Sequence, residues 1–231
     1  MIADSIGWDV ANWGRCLSFW TSRTSLEPRG LRALELGADA RNGGISLWLA
    51  AQVSQVVCSG LHEPSSVMRG LHEGYEVDDV ITYERIDVLD MPYEEAFDLI
   101  VFKSLLGFFG QRRHESGMRL QELAVAAIHR ALRPGGEVWF AENASGSPAH
   151  RFARRRLGWR AKGWHYFSRG EIAELMSPFA SLETRAVGLF GLLGRSERQR
   201  RALGALDRSL EPFTPSSWRY VIFGVARRNG G

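Results

Sequence analysis

Cysteine is scarce in this sequence, and long apolar runs are missing from it. The 231 residues include two cysteines, Cys16 and Cys58, which are too few for a disulfide framework or a structural zinc site. No apolar run reaches the ~18 residues that a membrane-spanning helix needs. The N-terminus has neither the basic start nor the apolar stretch of a secretory signal. These absences predict a globular protein of the reducing cytoplasm that holds no metal.

Lysine is also rare, at positions 103 and 162 alone, so arginine supplies most of the positive charge. The net charge of +3 is unevenly distributed, because residues 1–140 sum to −6 and residues 141–231 to +9. A basic C-terminal third can attract phosphate groups, nucleic acid or an anionic membrane face. It can equally be a solvated, arginine-rich surface, so both interpretations stay open.

Short apolar runs alternate with segments of helical periodicity from residue 31 onwards. Strands are predicted over residues 31–37, 54–60, 79–87, 97–104, 136–143, 180–190 and 217–228. Helices are predicted over residues 44–53, 64–74, 118–132, 168–176 and 196–210. Apolar strands separated by helices are typical of a parallel sheet that is covered on both faces. The predicted fold is therefore α/β, with a doubly wound, mostly parallel seven-stranded sheet whose last strand is antiparallel.

The stretch LELGADARNGG, residues 34–44, lies where the first predicted strand turns into a helix. Backbone amides at such a turn approach a ligand closely only if no side chain blocks them. Gly37 fits the tight turn. Asp39 and Arg41 occupy the next two positions at which glycine is expected, and glycines follow only at 43 and 44. Taken alone, this degenerate pattern is weak evidence for a nucleotide site.

Four segments in a characteristic order and spacing give that turn a context. They read LELGADARNGGISLWLA (34–50), IDVLDMPYEEAFDLIVFKSLL (86–106), HRALRPGGEVWFAEN (129–143) and HYFSRGEIAELM (165–176). Over nearly the whole chain the sequence resembles the class I S-adenosylmethionine-dependent methyltransferases, in their small-molecule branch. The pattern R-x-L-x-P-G-G in the third segment is the most specific match. The resemblance implies S-adenosyl-L-methionine as the cofactor.

The resemblance also assigns cofactor-binding roles by position. Glu35 would lie under the methionine end of the cofactor, and the backbone of Gly37 and Ala38 would pass close to it. Asp87 would lie near the adenine amine, and Val88 would offer its backbone amide to the ring. Two structural alternatives stay open, because Glu35 can be a charge that faces a helix and Asp87 can cap the loop that follows it.

One expected cofactor contact departs from the family pattern. An acidic residue about 20 positions beyond the glycine turn normally holds the ribose hydroxyls. Gly60 occupies that position here, and Glu63 is the nearest acidic candidate along the chain. Either Glu63 folds back to replace the missing carboxylate, or Asp39 takes a new role, or the cofactor binds weakly.

The resemblance places the methyl acceptor beyond the fourth and fifth strands. Lys103 and Ser104 would border the sulfonium and the acceptor. A general base is needed only if the acceptor is a hydroxyl or a protonated amine. The candidate catalytic residues are His165 and Glu142, and the candidate acceptor contacts are Ser104, Phe108, Asn143 and Arg155.

Residues 1–231 are interpreted as a single methyltransferase domain. An N-terminal helical cap covers residues 1–30, a cofactor-binding half covers 31–145, and a substrate-side half covers 146–231. A helical stripe in the cap, from Trp13 to Trp20, is expected to pack against the sheet. The substrate-side half carries a helical insertion at about 194–212 and a basic rim, formed by arginines 151, 154, 155, 156 and 160 and by Lys162.

The predicted activity is methylation of a small molecule, favoured as O-methylation of a sugar, a glycan or another phosphate-bearing metabolite. An RNA methyltransferase is the first alternative, disfavoured because no N-P-P-Y-like run and no separate RNA-binding module is visible. The second is a repurposed relative with weakened cofactor binding. No DNA partner is expected, weak peripheral membrane contact through residues 188–194 is considered, and the oligomeric state is left open.

Overall fold

A seven-stranded sheet forms the centre of the molecule. The computed structural model describes residues 1–27, 30–41, 43–111, 114–156 and 164–230, without the side chains of residues 40, 41, 111, 114–116, 153 and 155. The strand order is β3-β2-β1-β4-β5-β7-β6. The strands are β1 (Arg32–Leu36), β2 (Gln55–Gly60), β3 (Ile81–Arg85), β4 (Phe97–Lys103), β5 (Leu132–Asn143), β6 (Ser181–Val187) and β7 (Val221–Arg227).

The first five strands run parallel to one another, whereas β7 is antiparallel to both β5 and β6. The predicted doubly wound, mostly parallel sheet with an antiparallel last strand is therefore confirmed. The chain order of the strands reverses between β1 and β4. In open sheets of this kind, ligands bind at the carboxyl ends of the strands that flank such a reversal.

Helices cover both faces of the sheet. They are α1 (Ile2–Ile6), α2 (Val10–Trp13), α3 (Arg15–Arg23), α4 (Gly44–Ala50), α5 (Ser66–Gly74), α6 (His114–Ala131), α7 (Pro148–Arg156), α8 (Arg169–Leu175) and α9 (Glu197–Leu210). In the described ranges, no helix is long and apolar enough to cross a membrane.

Local capping signals predicted one helix start correctly and another incorrectly. The sequence has Ser168 and Glu171 at the spacing of a capping box, and at α8 the box forms, since Glu171 N donates to Ser168 Oγ at 3.2 Å and Ser168 N donates to Glu171 Oε2 at 2.7 Å. At α5 we expected Pro64 to occupy the first helical position, which is wrong. The helix begins at Ser66, because the Ser65 hydroxyl accepts the Met68 amide and so acts as the cap.

The N-terminal cap packs on one face of the sheet, as its apolar stripe predicts. Trp13, Cys16, Leu17 and Trp20 are all buried. The ring of Trp20 stacks on Trp139 of β5 with centroids 6.0 Å apart, and its Nε1 donates to Gly224 O of β7 at 3.1 Å. The packing of α3 carries α1 and α2 to the carboxyl edge of β1 and β4.

The helical insertion before β7 is tied to this cap through buried polar groups. Asn12 Nδ2 donates to Asp207 Oδ2 of α9 at 2.9 Å and contacts Tyr220 Oη at 2.8 Å. Asp207 also accepts the backbone amides of Phe190 and Gly191, at 2.7 and 3.1 Å. The cap and the insertion therefore meet above the end of β5, where the sequence predicts the acceptor side.

Candidate functional site

The turn after β1 is built from Gly37 and a short 3-10 segment, Ala38–Arg41. Gly37 has φ of +77°, in the left-handed region that favours glycine. A Cβ at this position would approach one described group, the flexible Leu105 Cδ1 at 3.3 Å. The backbone at Gly37 is therefore clear of rigid neighbours, as the family pattern requires. Arg41 has no described side chain, so its relation to the turn lies outside the described residues.

The two displaced glycines have packing roles. A Cβ at Gly44 would lie closer than 3.0 Å to the backbone of Asp4 and Ser5, because α1 packs directly on the first turn of α4. A Cβ at Gly43 would meet the ring of His72, whose Nε2 is 2.9 Å from Gly43 O. These glycines let the cap and α5 approach α4, which explains why they fall outside the expected spacing.

Glu35 lies beneath the turn and is 3% exposed. Its Oε2 accepts hydrogen bonds from Ser46 N at 2.7 Å and Ser46 Oγ at 2.6 Å. Burial raises the pKa of this carboxyl group, and the Ser46 donors oppose the rise. This geometry is that of the structural alternative, a charge facing a helix, because Ser46 lies in the first turn of α4, where the helix dipole favours an anion.

A carboxylate does stand at the end of β2, but it belongs to Asp39. Its Oδ2 accepts the amides of Leu61 and His62 at 2.7 and 3.3 Å. A Cβ at Gly60 would lie closer than 3.0 Å to the carboxylate carbon and both oxygens of Asp39. Glu63, the candidate from sequence, is exposed on the loop three residues beyond β2.

Asp87 and Val88 follow β3 at the same edge. The Asp87 carboxylate is exposed, and its Oδ1 accepts the Leu89 amide at 2.9 Å, so the predicted loop cap forms. Val88 is buried. Two apolar side chains at this edge are exposed to solvent, Leu61 after β2 at 49% and Leu89 after β3 at 37%. The ends of β2 and β3 therefore carry an exposed acid together with exposed apolar side chains.

Lys103 ends β4 under the N-terminal cap. Its ammonium donates to Ile6 O at 3.2 Å and lies 4.6 Å above the centre of the Trp13 ring. Ser104, the next residue, has φ of +57°, a conformation that non-glycine residues rarely adopt outside functional or tightly packed sites. The Ser104 Oγ accepts from Asn143 Nδ2 of β5 at 3.3 Å, which joins two of the predicted acceptor contacts.

Glu142 of β5 points away from the open edge and is fully buried. Its Oε1 accepts the Leu106 amide at 2.6 Å, which holds the loop after β4. Its Oε2 has no hydrogen-bond partner among the described groups. Burial raises the pKa of Glu142 to about 7, and the backbone amides that it accepts limit the rise.

A cavity of about 310 Å³ opens beside Asn143, between the cap, the insertion and the segment that follows β5. Its walls combine aromatic and polar side chains. They are Trp8, Asn143, His150, Arg154, Tyr166, Leu192 and Tyr220. Five of the seven wall residues carry an aromatic or heteroaromatic ring or a guanidinium group, so the cavity suits a ring-shaped or planar molecule.

Two predicted residues lie elsewhere, and the side chain of a third is not described. His165 lines a separate cavity between α6 and α8, where its Nε2 is 3.0 Å from Glu171 Oε1. Phe108 is 47% exposed on the loop after β4 and packs edge-on against Trp164. Arg155 lies on α7, but its side chain is outside the described residues. Among the described residues, no group of three or more His, Cys, Asp or Glu side chains could hold a metal ion.

Most walls of the cavity are not marked by any pattern in the sequence. Trp8 lies in the cap, His150 on α7 and Tyr220 just before β7, so no local spacing connects them. Tyr166 stands beside His165, but alternating side chains in this extended segment face opposite sides. The sequence did hold a signal for the Asp39 carboxylate. Asp39 stands where the family pattern has glycine, and Gly60 stands where it has an acid, so the two departures are complementary.

Comparisons with known proteins bear on the domain and on the fold. A family profile described as a methyltransferase domain matches residues 34–140. A sequence search of curated proteins finds no match. Among solved structures, the [4+2]-cyclase SpnF is similar with a TM-score of 0.61 at 16% identity, over 94% of this chain and 81% of that one.

Two methyltransferases of known structure are similar as well. N-methyltransferase NodS of Bradyrhizobium japonicum WM9, in complex with S-adenosyl-L-homocysteine, has a TM-score of 0.57 at 16% identity, over 93% of this chain and 84% of NodS. Phosphoethanolamine N-methyltransferase 2 of Haemonchus contortus, in complex with S-adenosyl-L-methionine, has a TM-score of 0.60 at 17% identity, over 94% of this chain. The match covers 53% of that enzyme, so the present chain spans about half its length. Such identities establish a common fold.

The strand order, the glycine turn at the reversal point and the matched domain profile define a class I, Rossmann-like methyltransferase. Residues 34–140 carry a methyltransferase domain, and the whole chain has the fold of the class I methyltransferases. The family and the enzyme class predicted from the four sequence segments are thereby confirmed.

Proposed function

We propose that this enzyme transfers a methyl group from S-adenosylmethionine to a hydroxyl group of a small-molecule acceptor. The observation that carries the proposal is the arrangement of one sheet edge. The clear backbone at Gly37 and the exposed Asp87 lie on one side of the reversal point, and the cavity beside Asn143 lies on the other. A cofactor and an acceptor bound at these two places would meet above the ends of β1, β4 and β5.

The residues at this edge fit the cofactor. The backbone at Gly37 and Ala38 leaves room for the methionine end, with Glu35 below and Lys103 beside it. Asp87 has one carboxylate oxygen engaged with Leu89, so the other is the acceptor for the adenine amine, and Val88 offers its amide. When bound, S-adenosylmethionine supplies a methyl group activated by its sulfonium. The protein supplies binding, orientation and exclusion of water.

The acceptor cavity supplies that orientation. The side chains of Trp8, Tyr166 and Tyr220 provide ring faces against which a sugar or another cyclic acceptor packs. Ser104 and Asn143 provide polar groups where the cavity meets the cofactor side. Since methyl transfer is an in-line displacement, holding the nucleophile on the line of the methyl–sulfur bond accounts for much of the acceleration.

A phosphate on the acceptor would be bound outside this cavity. Arg154 is engaged in the wall, because it donates to Ser145 O at 2.6 Å and stacks 3.7 Å from the centre of the Tyr166 ring. On the exposed side of α7, Arg151 and Arg156 line a shallow depression of about 360 Å³. Two guanidinium forks there are suited to a phosphate group.

The phosphate proposal is tested by kinetics with paired acceptors. Replacing Arg151 and Arg156 by glutamine is expected to raise KM about tenfold or more for a phosphorylated sugar and to leave the dephosphorylated sugar unaffected. Arg185→Gln, an exposed arginine on β6, is the matched control. Equal effects on both acceptors would contradict an anionic acceptor.

That His165 or Glu142 acts as the general base stays a prediction. Neither lines the cavity beside Asn143, since His165 faces the α6–α8 cavity and Glu142 is buried under the loop after β4. The pH dependence of kcat in His165→Asn tests the histidine, because loss of a base removes the acidic limb of the profile. An unchanged profile would assign His165 to the structure of the α6–α8 region.

Binding of S-adenosyl-L-homocysteine, measured by calorimetry, tests the proposed function most directly. We expect saturable binding with one site per chain and a rise in the melting temperature that grows with ligand concentration. The absence of both at millimolar ligand would overturn the proposal.

A further inference from the structure

The carboxyl end of β2 carries an exchange between two positions of the family pattern. The pattern places glycine at position 39 and an acid at position 60, whereas this chain has Asp39 and Gly60. We propose that Asp39 is the residue that binds the ribose hydroxyls of the cofactor, so that the contact comes from the turn after β1 instead of the end of β2. The assignment rests on the proposed function.

Steric complementarity is the first argument. A Cβ at Gly60 would overlap the whole carboxylate of Asp39. The Asp39 carboxylate therefore occupies the space in which a side chain at position 60 would begin. Glycine at 60 is what allows Asp39 to reach this place, and the two departures from the pattern explain each other.

Orientation is the second argument. The amides of Leu61 and His62 both donate to Oδ2 of Asp39, which fixes the carboxylate against the backbone after β2. His62 Nδ1 lies 3.3 Å from the same oxygen. Among the described residues, all hydrogen bonds to this carboxylate go to Oδ2, so Oδ1 remains available to a ligand. A carboxylate held in this way is prepared to accept from a diol.

Location is the third argument. Gly60 O accepts the Ile86 amide at 2.9 Å, so the Asp39 carboxylate is level with the end of β3 and with Asp87. The ribose of a nucleoside lies between its base and its 5′ substituent. The Asp39 carboxylate likewise lies between the adenine position at Asp87 and the turn at Gly37. Glu63 is further along the loop and exposed.

The test measures affinity by calorimetry for S-adenosyl-L-homocysteine and for its 2′,3′-dideoxy analogue. In Asp39→Asn, which keeps a side-chain oxygen for the Leu61 amide, we expect affinity for S-adenosyl-L-homocysteine to fall about 10- to 100-fold. The same variant should bind the dideoxy analogue as the wild type does. Asp78→Asn, an exposed aspartate before β3, controls for the change in net charge.

A rescue experiment separates ligand binding from a structural role. Asp39→Gly should lose affinity in the same way, and the double variant Asp39→Gly with Gly60→Asp should recover it to within about threefold, because the carboxylate returns by the other route. Melting temperatures of all variants show whether each one is folded.

Three outcomes overturn the assignment. If wild type binds the ligand and Asp39→Asn binds it equally well, Asp39 does not contact the ribose. If Glu63→Gln alone shows the diol-dependent loss, the contact belongs to Glu63. If wild type fails to bind S-adenosyl-L-homocysteine at all, the proposed function fails, and the ribose assignment fails with it.

Discussion

Three carboxylates near the carboxyl edge of the sheet have three different environments. Glu35 is buried and bonded to Ser46 at the start of α4. Glu142 is buried and holds the loop after β4 through the Leu106 amide. The Asp39 side chain is 31% exposed and faces the open edge. Residue type alone does not distinguish these roles, since accessibility decides which carboxylate supports the site and which can meet a ligand.

Removing the Ser46 hydroxyl is expected to destabilise the fold. Ser46→Ala takes one donor from the buried Glu35 carboxylate, which should lower the free energy of unfolding by about 1–3 kcal/mol. Urea denaturation measures the loss. Ser22→Ala, an exposed serine of α3, is the control and should change stability by less than about 0.5 kcal/mol. Equal effects of the two substitutions would contradict the role given to Ser46.

At the level of elements, the insertion α9 depends on the N-terminal cap. Asp207 receives bonds from Asn12 of α2 and from two backbone amides of the segment before α9. Glu197, at the first position of α9, accepts the amides of Asp9 and Val10 at 3.0 and 3.2 Å. These contacts bring Trp8 and Leu192 into the wall of the cavity beside Asn143.

Asp207→Ala should loosen the insertion. It leaves the amides of Phe190 and Gly191 without their acceptor and removes one of the acceptors of Asn12 Nδ2, so we expect faster amide hydrogen exchange over residues 188–210 and a raised KM for the methyl acceptor. Asp207→Asn keeps one carbonyl oxygen and should give a smaller change in both measurements. If exchange over α9 were unaffected by Asp207→Ala, the insertion would be held by its apolar contacts.

At the level of the whole molecule, buried acids and buried histidines respond to pH in opposite directions. Burial raises the pKa of Glu142 to about 7 and that of Asp9 to about 6, so protonation favours the folded state. Their contribution is fully present below the unfolded pKa and is lost as pH rises through the folded one. Burial lowers the pKa of His72 and His150, so their contribution is lost as pH falls below about 6.5.

Glu142→Gln isolates one of these contributions. Glutamine resembles the protonated acid, so we expect this variant to melt above the wild type at pH 8, where wild-type Glu142 is ionised. At pH 4, below the unfolded pKa, wild-type Glu142 is protonated in the folded state and mostly protonated in the unfolded one, so the two should melt together. Melting curves across this range measure the difference. A constant difference at all pH values would contradict the raised pKa.

Much of the fold follows from local patterns in the sequence. Apolar runs of strand length predict β1, β2 and β4 because these strands are buried on both faces, where almost every side chain must be apolar. The capping box at Ser168 predicts the start of α8 because both bonds are local. The start of α5 is mispredicted because Pro64 and Ser65 offer competing signals, and the hydroxyl of Ser65 is placed to accept the Met68 amide.

The sequence by itself determined the fold class, the methyltransferase family and the residues at the ends of β1, β3, β4 and β5, because strand pattern and motif spacing are properties of neighbouring residues. Only the tertiary structure decided that Gly43 and Gly44 serve packing, that Asp39 fills the space at Gly60, and that Trp8, Tyr166 and Tyr220 line one cavity. Those relations join residues from separate elements. They arise from the parallel register of the strands and the packing of the cap, which no local pattern encodes.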